Sequence, residues 1–270
     1  MRSYGKNEIS TALTIAGSDC SGGAGIQADL KTFAAHGVYG MSAVTALTAQ
    51  NTQGVTGVFD CNPDFLRLQI DAVFDDIFPD AVKIGMVSSS ALIDAVVSGI
   101  EKWQPRNLII DPVMVSTSGH RLLNRDAEAD LLKKLIPMAD LITPNIYEAE
   151  ILSGIKINTA TDVIAAVAKI SESFSGSILI KGGHSLDNAN DYLYHLNEEI
   201  LLRGERIDNP NTHGTGCTLS SAIAANLAIG HDMIASVKNA KSYITNAIKA
   251  NLNLGKGRGP LDHLHSLNFR

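Results

Sequence analysis

Residues 12–36 read ALTIAGSDCSGGAGIQADLKTFAAH, and this stretch decides the fold. Residues 12–16 predict a buried strand, and residues 25–36 have the apolar spacing of a helix. The loop between them, from Gly17 to Gly25, is rich in glycine and carries the chain from the strand into the helix. A strand that enters a helix in this way is the first unit of a parallel α/β sheet.

The same alternation continues along the chain. Further strands are predicted at residues 43–47, 81–85, 107–111, 141–143 and 177–181. Helical patterns are predicted at residues 63–77, 89–102, 127–135, 146–153, 160–173, 217–229 and 234–252. Residues 191–195 and 200–202 are too close together for a crossover helix, so they predict an antiparallel hairpin. We therefore expect one α/β domain over residues 1–270, with helices on both faces of a mixed, mostly parallel sheet.

Composition narrows the classes of function. With 45% hydrophobic and 19% charged residues, the chain can fill one large core. A formal net charge of -6 argues against a nucleic-acid partner or an anionic membrane surface, which clustered Lys and Arg would hold. The three cysteines are widely spaced and suggest neither a disulfide framework nor a zinc site. No signal peptide or membrane span is recognised, so we expect a cytoplasmic protein.

The loop from Gly17 to Gly25 is the first candidate site. Backbone N–H groups at a strand-to-helix turn can converge on a bound polar ligand. Within it, residues 23–28 also fit the dinucleotide pattern G-x-G-x-x-A, but Gln50 stands where that pattern needs an acidic residue. We therefore reject a dinucleotide site. The alternative is a glycine turn that serves only tight packing.

The second candidate is the segment from Asn211 to Cys217, which precedes a helix of small apolar residues. Gly214, Gly216 and Cys217 should lie at the helix N-terminus, where free amides and the helix dipole suit a phosphoryl group in transfer. A thiol there should ionise more readily than a free one and could accept a proton from a hydroxyl. The alternative is that Cys217 is a small buried helix residue.

Two further residues follow predicted strands. Glu148 lies four residues beyond Pro144, and Lys181 ends another strand. Because ligands bind outside the carboxyl ends of strands, Glu148 could meet a hydrated Mg²⁺ ion and Lys181 could meet phosphate oxygens. The alternatives are a dipole partner in a first helical turn for Glu148 and a solvated side chain for Lys181.

Eight segments in order resemble the hydroxymethylpyrimidine and phosphomethylpyrimidine kinases of thiamine biosynthesis, a branch of the ribokinase superfamily. They are LTIAGSD at 13–19, SGGAGIQAD at 21–29, TALTAQN at 45–51, KIGM at 83–86, DPVM at 111–114, TPN at 143–145, KGGH at 181–184 and THGTGC at 212–217. The resemblance implies a three-layer α/β/α sandwich that uses ATP and Mg²⁺ to phosphorylate 4-amino-5-hydroxymethyl-2-methylpyrimidine and then its monophosphate. It also implies a homodimer, and a loop around residues 116–120 that closes over the substrate.

The resemblance also assigns roles to residues. Gln50 would pair with the aminopyrimidine edge, in a pocket shared with Gly17, Asp29 and Met86. Gly214 and Gly216 would belong to the anion hole, with Cys217 where the wider superfamily carries its catalytic Asp. The residues expected to serve the nucleotide and Mg²⁺ are Asp111, Thr143, Asn145, Glu148, Lys181 and Lys241.

Two other functions stay open at this stage. A pyridoxine or pyridoxal kinase has very similar loops, but in the vitamin B6 branch that this chain most resembles the position of Gln50 is typically apolar. A relative that binds a nucleotide or vitamin without catalysis would keep the fold and show no turnover. Assays with each substrate and Mg-ATP separate these functions.

Overall fold

The computed structural model describes residues 9–114, 123, 125–182 and 189–267. The strands are β1 (Thr11–Asp19), β2 (Tyr39–Asn51), β3 (Gly54–Asp60), β4 (Ala81–Ile84), β5 (Leu108–Ile110), β6 (Leu141–Ile142), β7 (Ser177–Lys181), β8 (Asp191–His195) and β9 (Glu198–Leu202). The helices are α1 (Gly25–Ala35), α2 (Pro63–Asp76), α3 (Ser90–Trp103), α4 (Arg125–Asp130), α5 (Ile146–Ser153), α6 (Ala160–Ser171), α7 (Thr215–Ile229) and α8 (Met233–Lys249). The predicted alternation of strands and helices is confirmed.

Within the described ranges the strands form one mixed sheet, in the order β3-β2-β1-β4-β5-β6-β7-β8-β9. Six neighbouring strands run parallel to one another, namely β2, β1, β4, β5, β6 and β7. The remaining strands, β3, β8 and β9, pair antiparallel with their neighbours. The chain passes from β1 to β2 on one side and later returns to β4 on the other side. Ligands of open α/β sheets bind at such a switch point, outside the carboxyl ends of the strands.

Helices cover both faces of the sheet and bury two separate cores. Along β5, Leu108 and Ile110 face one core and Ile109 faces the other, because successive side chains of a strand point to opposite faces. Helices α2 to α6 contribute to the first core, and α1, α7 and α8 contribute to the second. The three-layer α/β/α sandwich predicted from the sequence is therefore confirmed.

Helix α7 is enclosed on all sides. Every residue from 218 to 227 is buried, and half of them are Ser or Ala. Small side chains let the helix axis come close to the sheet, and a helix segment that is buried all round has no solvent face to move toward. This buried segment holds the partly exposed first turn of α7, residues 215–217, in place.

The structure differs from the sequence-based expectation at the edges of the sheet. Strand β2 extends well beyond the predicted residues 43–47, and β3 was not predicted because its side chains are mostly exposed and lack an apolar alternation. The predicted hairpin is present, and it closes more tightly than expected, through Leu196 and Asn197 with φ values of 49° and 65°. In the part of the chain described here, no helix has the length and apolar character needed to cross a membrane. The predicted closing loop at residues 116–120 lies outside the described residues, as do Gly183 and His184.

Candidate active site

The glycine loop after β1 is organised around the carboxylate of Asp19. Its Oδ1 accepts hydrogen bonds from the backbone N of Ser21 at 2.9 Å and from its hydroxyl at 2.8 Å. Its Oδ2 accepts from the backbone N of Gly23 at 3.1 Å and of Ala24 at 2.8 Å. Burial alone would raise the pKa of Asp19, but these bonds and one from His213 lower it to about 2. The group therefore stays ionised and holds the loop in one shape.

The two glycine segments predicted from the sequence are in direct contact. Gly214 has a φ of +82°, and a Cβ at this position would collide with the carbonyl oxygen of Gly23. Gly23 in turn packs against the ring of His213. Only glycine combines this backbone conformation with so close an approach. The loop after β1 and the start of α7 thus form one surface.

The N-terminus of α7 faces a buried lysine and carboxylate. Gly214 is the N-cap, and no side chain caps this helix end. A Cβ on Gly216 would stand 3.4 Å from Lys181 Nζ and 3.5 Å from Asp111 Oδ2. The structure therefore brings together the predicted anion-hole residues and Lys181. Free helix amides beside an ammonium group form a site suited to phosphate oxygens.

Asp111 and Lys181 form a buried ion pair at the ends of β5 and β7. Lys181 Nζ donates to Asp111 Oδ1 at 2.8 Å, and the hydroxyl of Thr143 donates to the same oxygen at 3.1 Å. Burial lowers the pKa of Lys181, but Asp111 and Glu148 outweigh it and raise this pKa. Burial raises the pKa of Asp111, and the charges of Lys181 and Lys83 turn the net shift downward. Both groups are therefore charged at neutral pH.

Glu148 lies beside this pair, in the first turn of α5. It forms a capping box with Asn145, in which Glu148 Oε2 accepts from the backbone N of Asn145 at 2.8 Å and Asn145 Oδ1 accepts from the backbone N of Glu148 at 2.9 Å. Burial and the nearby charge of Asp111 raise the pKa of Glu148 to about 7. The charge of Lys181 opposes this shift only in part. Glu148 is thus a first-turn partner of the N-terminus of α5, as one alternative predicted. Its contact with a hydrated Mg²⁺ ion stays a prediction.

The residues present fit a hydrated Mg²⁺ ion. No cluster of three or more His, Cys, Asp or Glu side chains able to hold a metal occurs among the described residues. Mg²⁺ does not need such a cluster, because it usually keeps several waters and takes one or two carboxylates together with substrate phosphates. A divalent cation would also offset the charge of two neighbouring buried carboxylates, Asp111 and Glu148.

The thiol of Cys217 differs from the sequence-based expectation. The side chain is half-buried and accepts a hydrogen bond from the backbone N of Gly25. Burial raises the pKa of the thiol, as do the nearby carboxylates of Asp29 and Asp111, and the ammonium group of Lys83 offsets this only in part. The expectation that the helix N-terminus makes Cys217 ionise more readily is therefore wrong. Removal from water and the two carboxylates outweigh the ammonium group of Lys83 and the hydrogen bond from Gly25 at this position.

Gly17 and Met86 meet at the switch point of the sheet. A Cβ on Gly17 would stand 2.8 Å from Met86 Cε, so glycine leaves room for the methionine side chain. The backbone oxygen of Met86 is held by the hydroxyl of Thr45 at 2.7 Å. The two residues predicted to share a substrate pocket are therefore neighbours.

Asp29 lies beneath this surface and not on it. Its side chain is fully buried and forms an ion pair with Lys83 at 2.9 Å. It also accepts hydrogen bonds from Thr14 and Ser221, both at 2.6 Å. The expectation of a direct substrate contact is not supported in this state of the protein, because the carboxylate is fully engaged by protein groups.

Gln50 lies at the end of β2, close to both glycine segments. Its Nε2 is 3.2 Å from His213 Nε2, and its Oε1 is 3.2 Å from the hydroxyl of Thr48. His213 Nε2 is also 2.8 Å from Asp19 Oδ2. The residue predicted to recognise the substrate is thus connected to the start of α7.

Lys241, on α8, is held by groups at the start of β8. Its Nζ donates to the backbone oxygen of Ala189 at 2.6 Å and to Asp191 Oδ2 at 2.5 Å. Asp191 pairs with Lys181 across β7 and β8. Lys241 therefore joins α8 to the strand next to Lys181, and its contact with a nucleotide stays a prediction.

The sequence-based assignment of roles missed three residues. Asp19 and His213 were part of quoted motifs but received no role, and Lys83 was likewise only part of a motif. A charged residue at the end of a buried strand, or a lysine inside one, is the signal that could have identified Asp19 and Lys83, because a buried charge needs a partner; His213 carries no such signal.

Several known proteins are similar to this chain in sequence and in fold. Residues 19–262 match the family model described as phosphomethylpyrimidine kinase. The hydroxymethylpyrimidine/phosphomethylpyrimidine kinase of Rhizobium meliloti is 48% identical over 258 residues, which cover 94% of this chain and 97% of that protein. The crystal structure of phosphomethylpyrimidine kinase from Clostridium difficile has a TM-score of 0.81 and 49% identity, over 88% of this chain and 99% of that one. An ADP complex of Bacillus subtilis pyridoxal kinase has a TM-score of 0.87 and 39% identity, over 95% and 98% of the two chains.

Proposed function

The chain belongs to the phosphomethylpyrimidine kinase family, and from this premise we propose how its site works. The site transfers the γ-phosphoryl group of ATP to the hydroxymethyl group of 4-amino-5-hydroxymethyl-2-methylpyrimidine, and then a second one to the monophosphate, in thiamine biosynthesis. The observation that carries the proposal is the joint surface of two glycine segments. On this surface the uncapped N-terminus of α7 lies against Lys181. Gln50, whose amide is able to pair with an aminopyrimidine, contacts His213 directly before this helix.

Each group has a role that follows from its place. The amides of Gly214 and Gly216 and the ammonium of Lys181 stabilise the negative charge that spreads over the transferred group. Asp111 orients Lys181, and Glu148 holds the hydrated Mg²⁺ ion. Bound Mg²⁺ supplies charge neutralisation on the nucleotide phosphates.

The acceptor oxygen forms a bond to the γ-phosphorus as the bond to the ADP oxygen breaks. In the first step the hydroxyl must also lose its proton, and only the small thiolate fraction of Cys217 can accept it, because burial raises the pKa of this thiol. In the second step the acceptor is a phosphate that already carries negative charge, so no base is needed. This difference explains how a site without the superfamily's catalytic Asp can serve both steps.

The second candidate function is phosphorylation of pyridoxal or pyridoxine. The similarity to Bacillus subtilis pyridoxal kinase favours it as an additional activity. Gln50 argues for the pyrimidine as the better substrate, because its amide offers both a donor and an acceptor to the aminopyrimidine edge.

A substrate panel tests the function. The wild-type protein and Gln50→Met are assayed with hydroxymethylpyrimidine, its monophosphate, pyridoxine and pyridoxal in the presence of Mg-ATP. We expect kcat/KM for hydroxymethylpyrimidine relative to pyridoxine to fall about tenfold to a hundredfold in Gln50→Met, because the polar edge of the ring loses its partner. ATP binding without turnover of any substrate would instead indicate a non-catalytic relative.

We also propose a cytoplasmic homodimer that is formed from one ribokinase-like domain per chain. The family resemblance and the low count of cysteines support this assignment. Light scattering on the purified protein measures the oligomeric state directly, and a monomer at micromolar concentration would contradict the proposal.

A further inference from the structure

His213 is a buried residue to which the proposed chemistry gives no role. It immediately precedes Gly214, and its backbone N donates to the oxygen of Gly259 at 3.1 Å. The ring is only 7% exposed, and its Nε2 lies within reach of Asp19 and of Gln50. A buried imidazole between a carboxylate and a substrate-facing amide has a restricted choice of hydrogen bonds.

The contact with Asp19 fixes the tautomer of His213. Asp19 is ionised, and its Oδ2 is already an acceptor for two backbone N–H groups. An ionised carboxylate can only accept, so the imidazole nitrogen 2.8 Å away must carry a hydrogen. His213 therefore donates from Nε2.

This tautomer fixes the amide of Gln50. An amide nitrogen facing His213 would set two donors against each other at 3.2 Å. With the amide rotated by 180°, its oxygen can share the single Nε2 hydrogen of His213 with Asp19, as the longer arm of a three-centre hydrogen bond, and its nitrogen donates to the hydroxyl of Thr48. The hydrogen of Thr48 is then free for the backbone oxygen of Ser18, 2.9 Å away. This orientation removes the donor–donor contact and gives each group in the chain of contacts a compatible partner.

We propose that His213 is a specificity-positioning residue that fixes which end of the Gln50 amide accepts and which end donates. The amide oxygen points to His213 and the nitrogen to Thr48, and each keeps one further position for a ligand. An aminopyrimidine would then bind with its amino group on the His213 side and its ring nitrogen on the Thr48 side. This inference deepens the proposed function and rests on it.

The arrangement also connects two parts of the reaction. His213 adjoins the helix N-terminus that is expected to hold phosphate, and Gln50 is expected to recognise the ring. Buried polar groups that are fully satisfied in one arrangement specify that arrangement. The amide of Gln50 is therefore ordered for the substrate only when the segment before α7 is in place.

Two substitutions at His213 separate this role from a packing role. Leu is similar in volume but cannot donate, whereas Gln keeps a donor near the position of Nε2. We expect His213→Leu to raise KM for hydroxymethylpyrimidine roughly fivefold to twentyfold, with KM for ATP and kcat/KM for pyridoxine much less affected. His213→Gln should recover most of the loss. Equal losses for both rings, or no rescue by Gln, would overturn the proposal.

A double-mutant cycle tests whether His213 acts through Gln50. In Gln50→Met the amide is gone, so adding His213→Leu should raise KM for hydroxymethylpyrimidine no further. Thr48→Val removes the other end of the chain of contacts and should also relax the preference for hydroxymethylpyrimidine. Independent, multiplicative losses at positions 50 and 213 would contradict a shared mechanism.

A spectroscopic measurement needs no activity. In wild-type protein with ¹⁵N-labelled histidine, assigned by comparison with His213→Gln, the imidazole of residue 213 should show a protonated Nε2 and an unprotonated Nδ1. The opposite tautomer would overturn the proposal even if the enzyme is active. If the tautomer is as expected and wild type does not phosphorylate hydroxymethylpyrimidine, the proposed function fails and the His213 contact stands.

Discussion

Cys217 shows how one environment can act on a residue in two directions. The helix N-terminus and Lys83 favour the thiolate, whereas burial and two carboxylates favour the thiol. The motif indicates the helix N-terminus, which favours the thiolate. It does not indicate burial, because the sequence does not show how much water surrounds a side chain. A buried thiol of raised pKa stays protonated at neutral pH, so only a small thiolate fraction is present to act as a base.

Replacing Cys217 by Ala is expected to act mainly on the first phosphorylation. The rate with hydroxymethylpyrimidine should fall by no more than about tenfold, because only a small thiolate fraction is present to take the proton of this acceptor, and the rate with the monophosphate should fall much less. Single-turnover rates with each acceptor measure the difference. Equal losses would show that Cys217 only packs in the anion hole.

Glu148 predicts a dependence of stability on pH. Its pKa is about 7 in the folded protein and 4.5 in a free glutamate, so the folded state binds more protons between these values. The folded state is therefore favoured at low pH, and this contribution is lost as pH rises through about 7. Without metal, Glu148→Gln should be more stable than wild type by about 3 kcal/mol at pH 8 and should differ far less at pH 5.

Urea unfolding at the two pH values measures this difference, since Gln stays neutral and still suits the capping box. The same variant should need more Mg²⁺ for half-maximal rate, because an amide holds a hydrated divalent ion less well than a carboxylate. An unchanged Mg²⁺ titration would leave Glu148 as a helix-capping residue only.

At the scale of elements, the sequence predicted the central strands and most helices, since buried strands and amphipathic helices have clear periods. It missed β3 because an exposed edge strand has neither period. It also did not foresee that α4 continues into a π-helical turn at Leu131–Leu135, since such a turn depends on tertiary packing. Prediction therefore weakens where packing, not local pattern, selects the structure.

The junction between the loop after β1 and α7 can be tested with two glycines. Gly214 and Gly37 have φ values of +82° and +71°, but only Gly214 is in contact with another backbone. Gly37→Ala should cost about 1 kcal/mol from backbone strain. Gly214→Ala should cost clearly more and raise KM for ATP. Thermal unfolding and ATP titration measure both effects. Equal losses of stability in the two variants would show that the contact of Gly214 with the backbone of Gly23 does not stabilise the protein.

At the scale of the whole molecule, one buried ion pair joins four elements. Asp29 on α1 binds Lys83 on β4, Thr14 on β1 and Ser221 on α7. The resemblance placed Asp29 in the substrate pocket, whereas the structure shows a carboxylate that fixes α7 above the sheet. Sequence motifs identify such residues without showing whether they contact the ligand or support those that do.

Lys83→Met is expected to destabilise the protein by about 3 to 5 kcal/mol, because it leaves a buried carboxylate without its counter-ion. Adding Asp29→Asn should restore a large part of this loss, since the amide is neutral and still accepts from a hydroxyl. Denaturant unfolding of both variants measures the recovery. A double variant no more stable than Lys83→Met would show that the charge of Asp29 is not the cause.

The contact between Asp19 and His213 joins residues 194 positions apart. A ribosome that adds about 5 to 20 residues per second needs roughly 10 to 40 seconds to produce the second residue after the first. Throughout that time the emerging chain carries a substrate-facing loop that lacks its counterpart. Closing so long a segment comes late in folding, because the loss of chain freedom precedes the contacts that offset it. An unfinished copy therefore lacks the joint surface of the two glycine segments until the residues around His213 have been made.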